Sequence, residues 1–231
     1  MRTRLVVIGL TLAAGTIVAT ALARSMDSVE APPSTPDEGI KELMAGNKRY
    51  VAGQMESHNL PAARTGLASG QAPFAGIIRC ADSRVAPEIV FDQPLGELFV
   101  CGVAGNIPTT EIIASMEYGV AVLGVKTIVV MGHSSCGAVG AAVEYRADTS
   151  PLPGSLPGLI DQIIVPCTIN IDPKDPGALD AAIACNAHQG IEGLLRGSQV
   201  LSDAVKNGSL KIFAGVQDLA TGRFTLTGDG K

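Results

Sequence analysis

The chain has 231 residues, 46% of them hydrophobic, which favours one domain with a substantial core and allows two. Only 3% are aromatic and none is Trp, so that core must rest on Ala, Val, Ile and Leu. The formal net charge is −5 and no Lys/Arg-rich stripe occurs, which argues against a nucleic-acid partner.

In chain order, the first signal is Arg2 and Arg4 ahead of an uncharged stretch from Leu5 to Ala23, which closes on the small-residue pattern Ala21-Leu22-Ala23. Residues 1–23 read as a signal peptide. The alternative is an uncleaved anchor over residues 5–23, because the stretch approaches the ~20 residues that span a bilayer. Either way the folded part is exported, periplasmic or secreted, and a cleaved chain keeps no membrane partner. Residues 24–36 are polar and Pro-rich, a linker to a single domain over residues 37–231.

Pro36 to Val51 has helical periodicity, with Ile40, Leu43, Met44 and Tyr50 roughly on one face, and forms an N-terminal helical arm. Phe74 to Arg79 is a short apolar run fit for a buried strand, and Leu98 to Cys101 is a second. Thr110 to Leu123 reads as a helix, with Ile113, Met116, Glu117 and Val120 at helical spacing. Lys126 to Met131 is a β-branched third strand that leads into Gly132-His133, and Gly137 to Tyr145 is helical again. Residues 147–158 are rich in Pro, Gly and Ser and read as a loop. Helices follow over Ala178 to Leu195 and Ser198 to Lys206, then strands over Leu210 to Val216 and Phe224 to Leu226. This alternation predicts an α/β fold: a central, mainly parallel β-sheet flanked by helices.

The chemistry-bearing residues lie just past two of those strands. Cys80 opens the run Cys80-Ala81-Asp82-Ser83-Arg84, and much later comes His133-Ser134-Ser135-Cys136. Sites in open α/β sheets form beyond the carboxyl ends of the strands, which would bring the two clusters together. Two thiolates and an imidazole suit zinc, and three protein ligands leave a fourth position for water. Asp82 and Arg84 place a charged pair beside that open position. A purely structural zinc site has no use for such a pair, so it points to metal-activated water. The alternative is a surface ion pair, worth ~0–1 kcal/mol.

Cys101 lies in an apolar run and reads as a buried thiol. Cys167 and Cys185 remain. An export compartment permits a disulfide between them, although nothing in the sequence places them close together. His58 and His188 read as solvent or core residues; His58, in a polar loop, is at most a weak proton shuttle.

From about Gly39 to Gly228 these features resemble the β-class carbonic anhydrases. The resemblance rests on Ala45-Gly46-Asn47-Lys48-Arg49-Tyr50, the run Cys80 to Arg84, and Glu97-Leu98-Phe99-Val100 with Ala104-Gly105-Asn106. Glu117-Tyr118-Gly119-Val120 and Gly132-His133-Ser134-Ser135-Cys136-Gly137 complete it. It implies zinc on Cys80, His133 and Cys136, carbon dioxide and bicarbonate as substrates, and a homodimer or tetramer. Paired with Arg84, Asp82 would orient the metal-bound water; released, it would become a fourth ligand and shut the site, and the family shows both arrangements. Two thiolates donate more charge than imidazoles, so acidification of that water should be weaker than at an all-His site.

Gln71, Phe99 and Tyr118 fall on positions that line the substrate pocket in the plant-type subgroup, partly across a dimer interface, and Gly137 would offer a backbone amide to substrate. On the residues alone, Phe99 and Tyr118 fit core packing equally well, and Gln71 fits a solvated turn. The chain also departs from the pattern. Gly102 stands where the family usually has Arg. The bicarbonate-regulated subgroup combines that Arg with a Trp and a Tyr, and Ile77 and Gln217 occupy those places here. Inhibition by noncatalytic bicarbonate is therefore not expected, and a charge near the subunit interface is lost. Relatives that hydrolyse carbonyl sulfide or carbon disulfide keep the same ligands. A non-enzymatic zinc protein is the remaining rival, and the Asp82–Arg84 pair argues against it.

Overall fold

In the computed structural model, residues 31–58 and 60–231 are described; the expected signal peptide or anchor and most of the linker lie outside them. Five strands form one sheet: β1 (Ala75–Arg79), β2 (Leu98–Gly102), β3 (Thr127–His133), β4 (Lys211–Gln217) and β5 (Phe224–Leu226). Their order is β2-β1-β3-β4-β5. The first four are parallel, and β5 runs antiparallel to β4. The mainly parallel α/β sheet flanked by helices is the architecture expected from the alternating pattern.

The strands are apolar on both faces, as parallel strands covered by helices must be. Ile78, Val130 and Ile212 point to one side, where they meet Met116 of α4 (Thr110–Ala121), Leu194 of α7 (Ala178–Gly197) and Leu201 of α8 (Gln199–Lys206). Ile77, Val129 and Phe213 point to the other, against Leu43 of α1 (Pro36–Val51) and Val90 of α3 (Pro87–Val90). A third cluster joins α5 (Gly137–Glu144), α6 (Leu156–Cys167) and the start of α7 around Val139, Ile163 and Ile183, and it encloses Cys80 and Cys136.

The arm α1 starts where the linker was expected to end. Thr35 accepts from the Glu38 amide at 3.2 Å while the Glu38 carboxylate accepts from the Thr35 amide at 3.1 Å, so both ends of a capping box are made. Pro36 is therefore the first helical residue rather than the last of the linker. The helix lies directly on its neighbours because two glycines face them: a Cβ on Gly39 would sit 2.1 Å from Thr127 Oγ1, and one on Gly46 1.7 Å from the Phe91 carbonyl oxygen. Asn47 then ties the arm down. Its amide donates to the Val90 and Gly222 carbonyls at 3.0 and 2.9 Å, and its oxygen accepts from the Phe224 amide at 2.9 Å.

Two helices depart from expectation. The loop expected over 147–158 ends early, because α6 begins at Leu156 and continues to Cys167. Pro157 sits in its first turn, where the missing N–H costs nothing. Its buried side chains, Ile160, Ile163, Ile164 and Cys167, keep helical spacing. The short α2 (Leu60–Leu67) was also not expected; it buries no residue. Cys101 corrects another expectation. It sits on the edge strand β2 and is only half-buried, enough for desolvation to push its thiol up.

Cys167 and Cys185 are joined, with their Cα atoms 5.6 Å apart, so a disulfide fastens the end of α6 to the middle of α7. Among the described residues no helix is long and apolar enough to cross a membrane.

Candidate metal centre

The register explains how distant segments meet. Arg79, the last residue of β1, pairs with Met131 in β3, so Cys80 emerges beside the last two residues of β3, Gly132 and His133. A tight turn follows in which Ser135 takes φ 56°, and Cys136 becomes the N-cap of α5. That turn is pinned to the exit of β4: the Ser134 amide donates to the Gln217 carbonyl at 2.8 Å, and Ser134 Oγ accepts from the Leu219 amide at 2.9 Å.

The result is a buried cluster in which the ligand atoms of Cys80, His133 and Cys136 all lie within 4.8 Å of one another. His133 is fully buried, and its Nδ1 lies 2.9 Å from the Ser134 carbonyl oxygen. A carbonyl can only accept, so Nδ1 carries the proton and Nε2 presents its lone pair. Nε2 is buried without a hydrogen-bond partner among the described residues. A buried imidazole lone pair facing two sulfurs is a poor arrangement for any purpose except holding a soft cation, so the residues fit zinc. The carbonyl behind Nδ1 is the outer support that metal-ligating histidines ordinarily have.

The electrostatics agree. The hydrogen bond between the two sulfurs holds the Cys80 thiol well below its ordinary value, aided by His133 and the Gly105 amide. The same bond pushes the Cys136 thiol up, helped by burial and opposed by the Val139 and Ala138 amides at the start of α5. The pair therefore carries one negative charge readily, and a cation that replaces the shared proton allows the second.

Asp82 stands beside this cluster and is fully engaged with Arg84. Oδ1 accepts from the Arg84 amide and Nε, both at 2.9 Å, and Oδ2 accepts from Nη2 at 2.7 Å. That fork, above all its side-chain bonds, drops the Asp82 carboxyl far below the usual carboxylate range. Oδ2 is also 3.9 Å from His133 Nε2. Of the two arrangements open to Asp82, this is the one in which the carboxylate is held by Arg84. A cavity of about 420 Å³ borders Asp82, walled further by Arg79, Ser83, Val85, Glu88 and Val100.

Gly137 follows Cys136 directly and opens α5, where first-turn amides lack intrahelical acceptors; a Cβ there would meet open space. The other three expected pocket residues are not gathered here. Gln71 is exposed and precedes β1, whereas Cys80 follows its far end. The intervening strand alone, five residues long, spans about 17 Å. Phe99 pairs with Gly76 near that same starting edge, and Tyr118, half-exposed on α4, stacks obliquely on it with ring centroids 6.3 Å apart. Neither His58 nor His188 joins the metal cluster: His58 Nε2 lies 3.4 Å from the Asp92 carboxylate, and His188 faces solvent. Ile77 is a core residue, and buried Gln217 pairs with His133 in the β3–β4 register.

Several supporting residues escaped the sequence reading. Arg79 Nη1 donates to the Cys80 carbonyl at 2.7 Å. The Gly105 amide donates to Cys80 Sγ at 3.3 Å, and Asn186 Nδ2 donates to the Gly105 carbonyl at 2.7 Å. Asn186 did leave a signal: it is an amide within the helical stripe Ala182, Ile183, Ala187, Ile191, Leu194.

The family described as carbonic anhydrase matches residues 75–224. Carbonic anhydrase 2 of Mycobacterium tuberculosis is 38% identical over 196 residues, 84% of this chain and 94% of that protein. A carbonic anhydrase of Pseudomonas aeruginosa is 37% identical over 166 residues, 68% of this chain and 74% of that protein. Among solved structures, one of two tetrameric β-carbonic anhydrases from the ascomycete Sordaria macrospora superposes with a TM-score of 0.62 at 25% identity, covering 84% of this chain and 95% of that one. A Coccomyxa β-carbonic anhydrase in complex with acetazolamide shares the fold, with a TM-score of 0.64 at 22% identity over 94% of this chain and 87% of its own. Family match, identity across most of the chain and a shared fold agree with one another: this chain belongs to the β-carbonic anhydrase family.

Proposed function

We propose that the chain catalyses the reversible hydration of carbon dioxide to bicarbonate and a proton. The observation that carries this reading is the unpartnered Nε2 of His133, buried with the sulfurs of Cys80 and Cys136 and flanked by a carboxylate already committed to Arg84. Cys80, His133 and Cys136 would hold zinc, which would supply the Lewis acidity that brings the pKa of water from about 16 toward neutrality.

The chain's own residues do the rest. Asp82 Oδ2 takes only one bond from Arg84 and lies 3.9 Å from His133 Nε2, so it accepts a second bond from the attacking water and fixes which lone pair faces the substrate carbon. Arg84 prevents the carboxylate from swinging onto the metal site, because its fork occupies both oxygens. Asp82 is far too acidic to store the proton that leaves the water, so that proton passes to buffer. The Gly137 amide, at the start of α5 beside Cys136, is a donor for the bicarbonate oxygen.

In the same account, Gln71, Phe99 and Tyr118 complete the pocket of another subunit in a homodimer or tetramer. The exposure of Gln71 and Tyr118, with Phe99 partly buried beneath Tyr118 near the end of the sheet remote from their own chain's Cys80, supports this. Export to an oxidising compartment is supported by the Cys167–Cys185 disulfide and by the signal-like start of the sequence.

Stopped-flow carbon dioxide hydration, run beside sulfide release from carbonyl sulfide and carbon disulfide, tests the assignment. Fast hydration with negligible sulfide release is expected. Sulfide release without hydration would move the substrate to the sulfur compounds, and zinc binding with neither reaction would leave a non-enzymatic zinc protein.

A further inference from the structure

We propose that Asn186 is a positioning residue for the metal ligand Cys80, acting through the backbone of Gly105. The proposal rests on the metal-centre reading above. Asn186 sits in the buried stripe of α7, is 4% exposed, and is the polar member of that stripe. Burying an amide among aliphatic side chains is costly unless its donors and acceptor find partners. The partners of Asn186 are not on its own helix. Its Nδ2 donates to the Gly105 carbonyl at 2.7 Å and reaches Asn106 Oδ1 at 3.5 Å, both in the short 3₁₀ turn Ala104–Asn106.

Gly105 needs such a partner. It takes φ 79°, and a Cβ there would come 2.7 Å from Ile163 Cδ1, so both conformation and space demand glycine. Glycine tolerates this conformation but does not enforce it, since it populates both signs of φ about equally. The hydrogen bond from Asn186 fixes the carbonyl side of the residue. With that side fixed, the amide side is aimed, and its N–H meets Cys80 Sγ at 3.3 Å. A bond from N–H to a thiolate is charge-assisted and favours the ionised sulfur that a cation requires. The donor side is itself anchored: Cys185, adjacent in sequence, is tied by its disulfide to α6, the helix that carries Ile163. Asn186 thus touches neither metal nor substrate, yet it sets the direction of a hydrogen bond to one of the three ligand atoms.

The test uses the full chain with Asn186→Asp, which keeps the side-chain size but turns an acceptor toward the Gly105 carbonyl. Asn186→Gln, which keeps the donor but displaces it, serves as the second variant if the first does not fold. Ile191→Val, a buried change one turn further along the same helix, provides the baseline for loosened packing. Two quantities are measured: the zinc dissociation constant by competition with a chromophoric chelator, and the thiolate-to-metal charge-transfer band of the Co²⁺-substituted protein. The expected result is zinc binding weakened ~10–100-fold and a displaced band in the Asn186 variants, with neither change in Ile191→Val. If the Asn186 variants lose only thermal stability, as Ile191→Val does, and bind zinc like the wild type with an unmoved band, this proposal is overturned alone. A wild-type chain that takes up no zinc would overturn the metal-centre reading, and this proposal with it.

Discussion

Arg79 of β1 and Gly102 of β2 stand opposite each other in the strand register, and the arginine side chain lies over the glycine: a Cβ on Gly102 would meet Arg79 Cγ and Cζ at 3.4 Å. By the resemblance, Gly102 stands where the family usually has arginine, and the expectation was a lost charge near the subunit interface. In the structure a guanidinium from the neighbouring strand lies against Gly102. Gly102 leaves the space, and Arg79 uses it to reach back to the Cys80 carbonyl.

Arg79→Ala should therefore loosen the segment that presents Cys80. Losing a hydrogen bond from a charged donor costs ~1.5–3 kcal/mol, so a lower thermal midpoint and a several-fold drop in carbon dioxide hydration are expected. The swapped pair, Arg79→Gly with Gly102→Arg, should recover much of both. A swap that behaves worse than Arg79→Ala would show that the two positions do not substitute for each other.

Asp82→Asn should retain zinc, because Asp82 is not one of the three gathered ligands, and should lower kcat by ~10²-fold. Its pH behaviour has a definite sign. The folded carboxyl lies below its ordinary value of 3.8, so its contribution to stability is complete above that value and fades only as pH falls through the depressed one. Asp82 accordingly stays ionised across the range in which the enzyme is assayed. Any inflection of the wild-type rate profile between about pH 5 and 9 should persist in Asp82→Asn, measured at matched zinc content. Its disappearance would show that Asp82 itself titrates there.

Cys80→Ser replaces a soft thiolate with a hydroxyl that does not ionise near neutrality. Purified protein should carry little zinc by elemental analysis and should hydrate carbon dioxide at close to the background rate. Full zinc content in this variant would remove Cys80 from the ligand set.

The disulfide closes a loop between positions 18 apart in sequence. In the chain-entropy account that is worth ~3 kcal/mol, equivalent to roughly 6–12 °C in a domain of this size. Cys167→Ala/Cys185→Ala should melt lower by about that amount, and thermal melts of the oxidised wild type against the double variant check it. Equal midpoints would mean that packing of α6 on α7 already fixes their positions without the bond.

The parts of the fold that carry the ligands were legible because their signals are local. The β-branched run of β3 ends in His133, the apolar run of β1 ends in Cys80, and the parallel register joins the two ends. Helix α6 was hidden because Pro157 and Gly158 fell in the Pro/Gly/Ser-rich stretch read as a loop, although Ile160, Ile163, Ile164 and Cys167 keep helical spacing within it. Without α6, the permitted Cys167–Cys185 pairing had nothing to bring its two ends together, since the helix is what carries Cys167 to Cys185. Short α2 buries nothing and so prints no periodic pattern. The resemblance put Gln71, Phe99 and Tyr118 in a pocket formed partly across a dimer interface; strand direction places Gln71 before β1 and Phe99 near the starting end of the sheet, away from their own chain's Cys80, a relation no motif encodes. Arg79 and Gly102 were each visible in the sequence, but their compensation exists only in the register.

The central claim, one zinc ion held by two sulfurs and one imidazole nitrogen with a single position left for oxygen, is tested most directly by X-ray absorption at the zinc edge of the purified chain. The account predicts two sulfur neighbours at about 2.3 Å and two nitrogen or oxygen neighbours near 2.0 Å. A shell containing four sulfurs, or none, would contradict it.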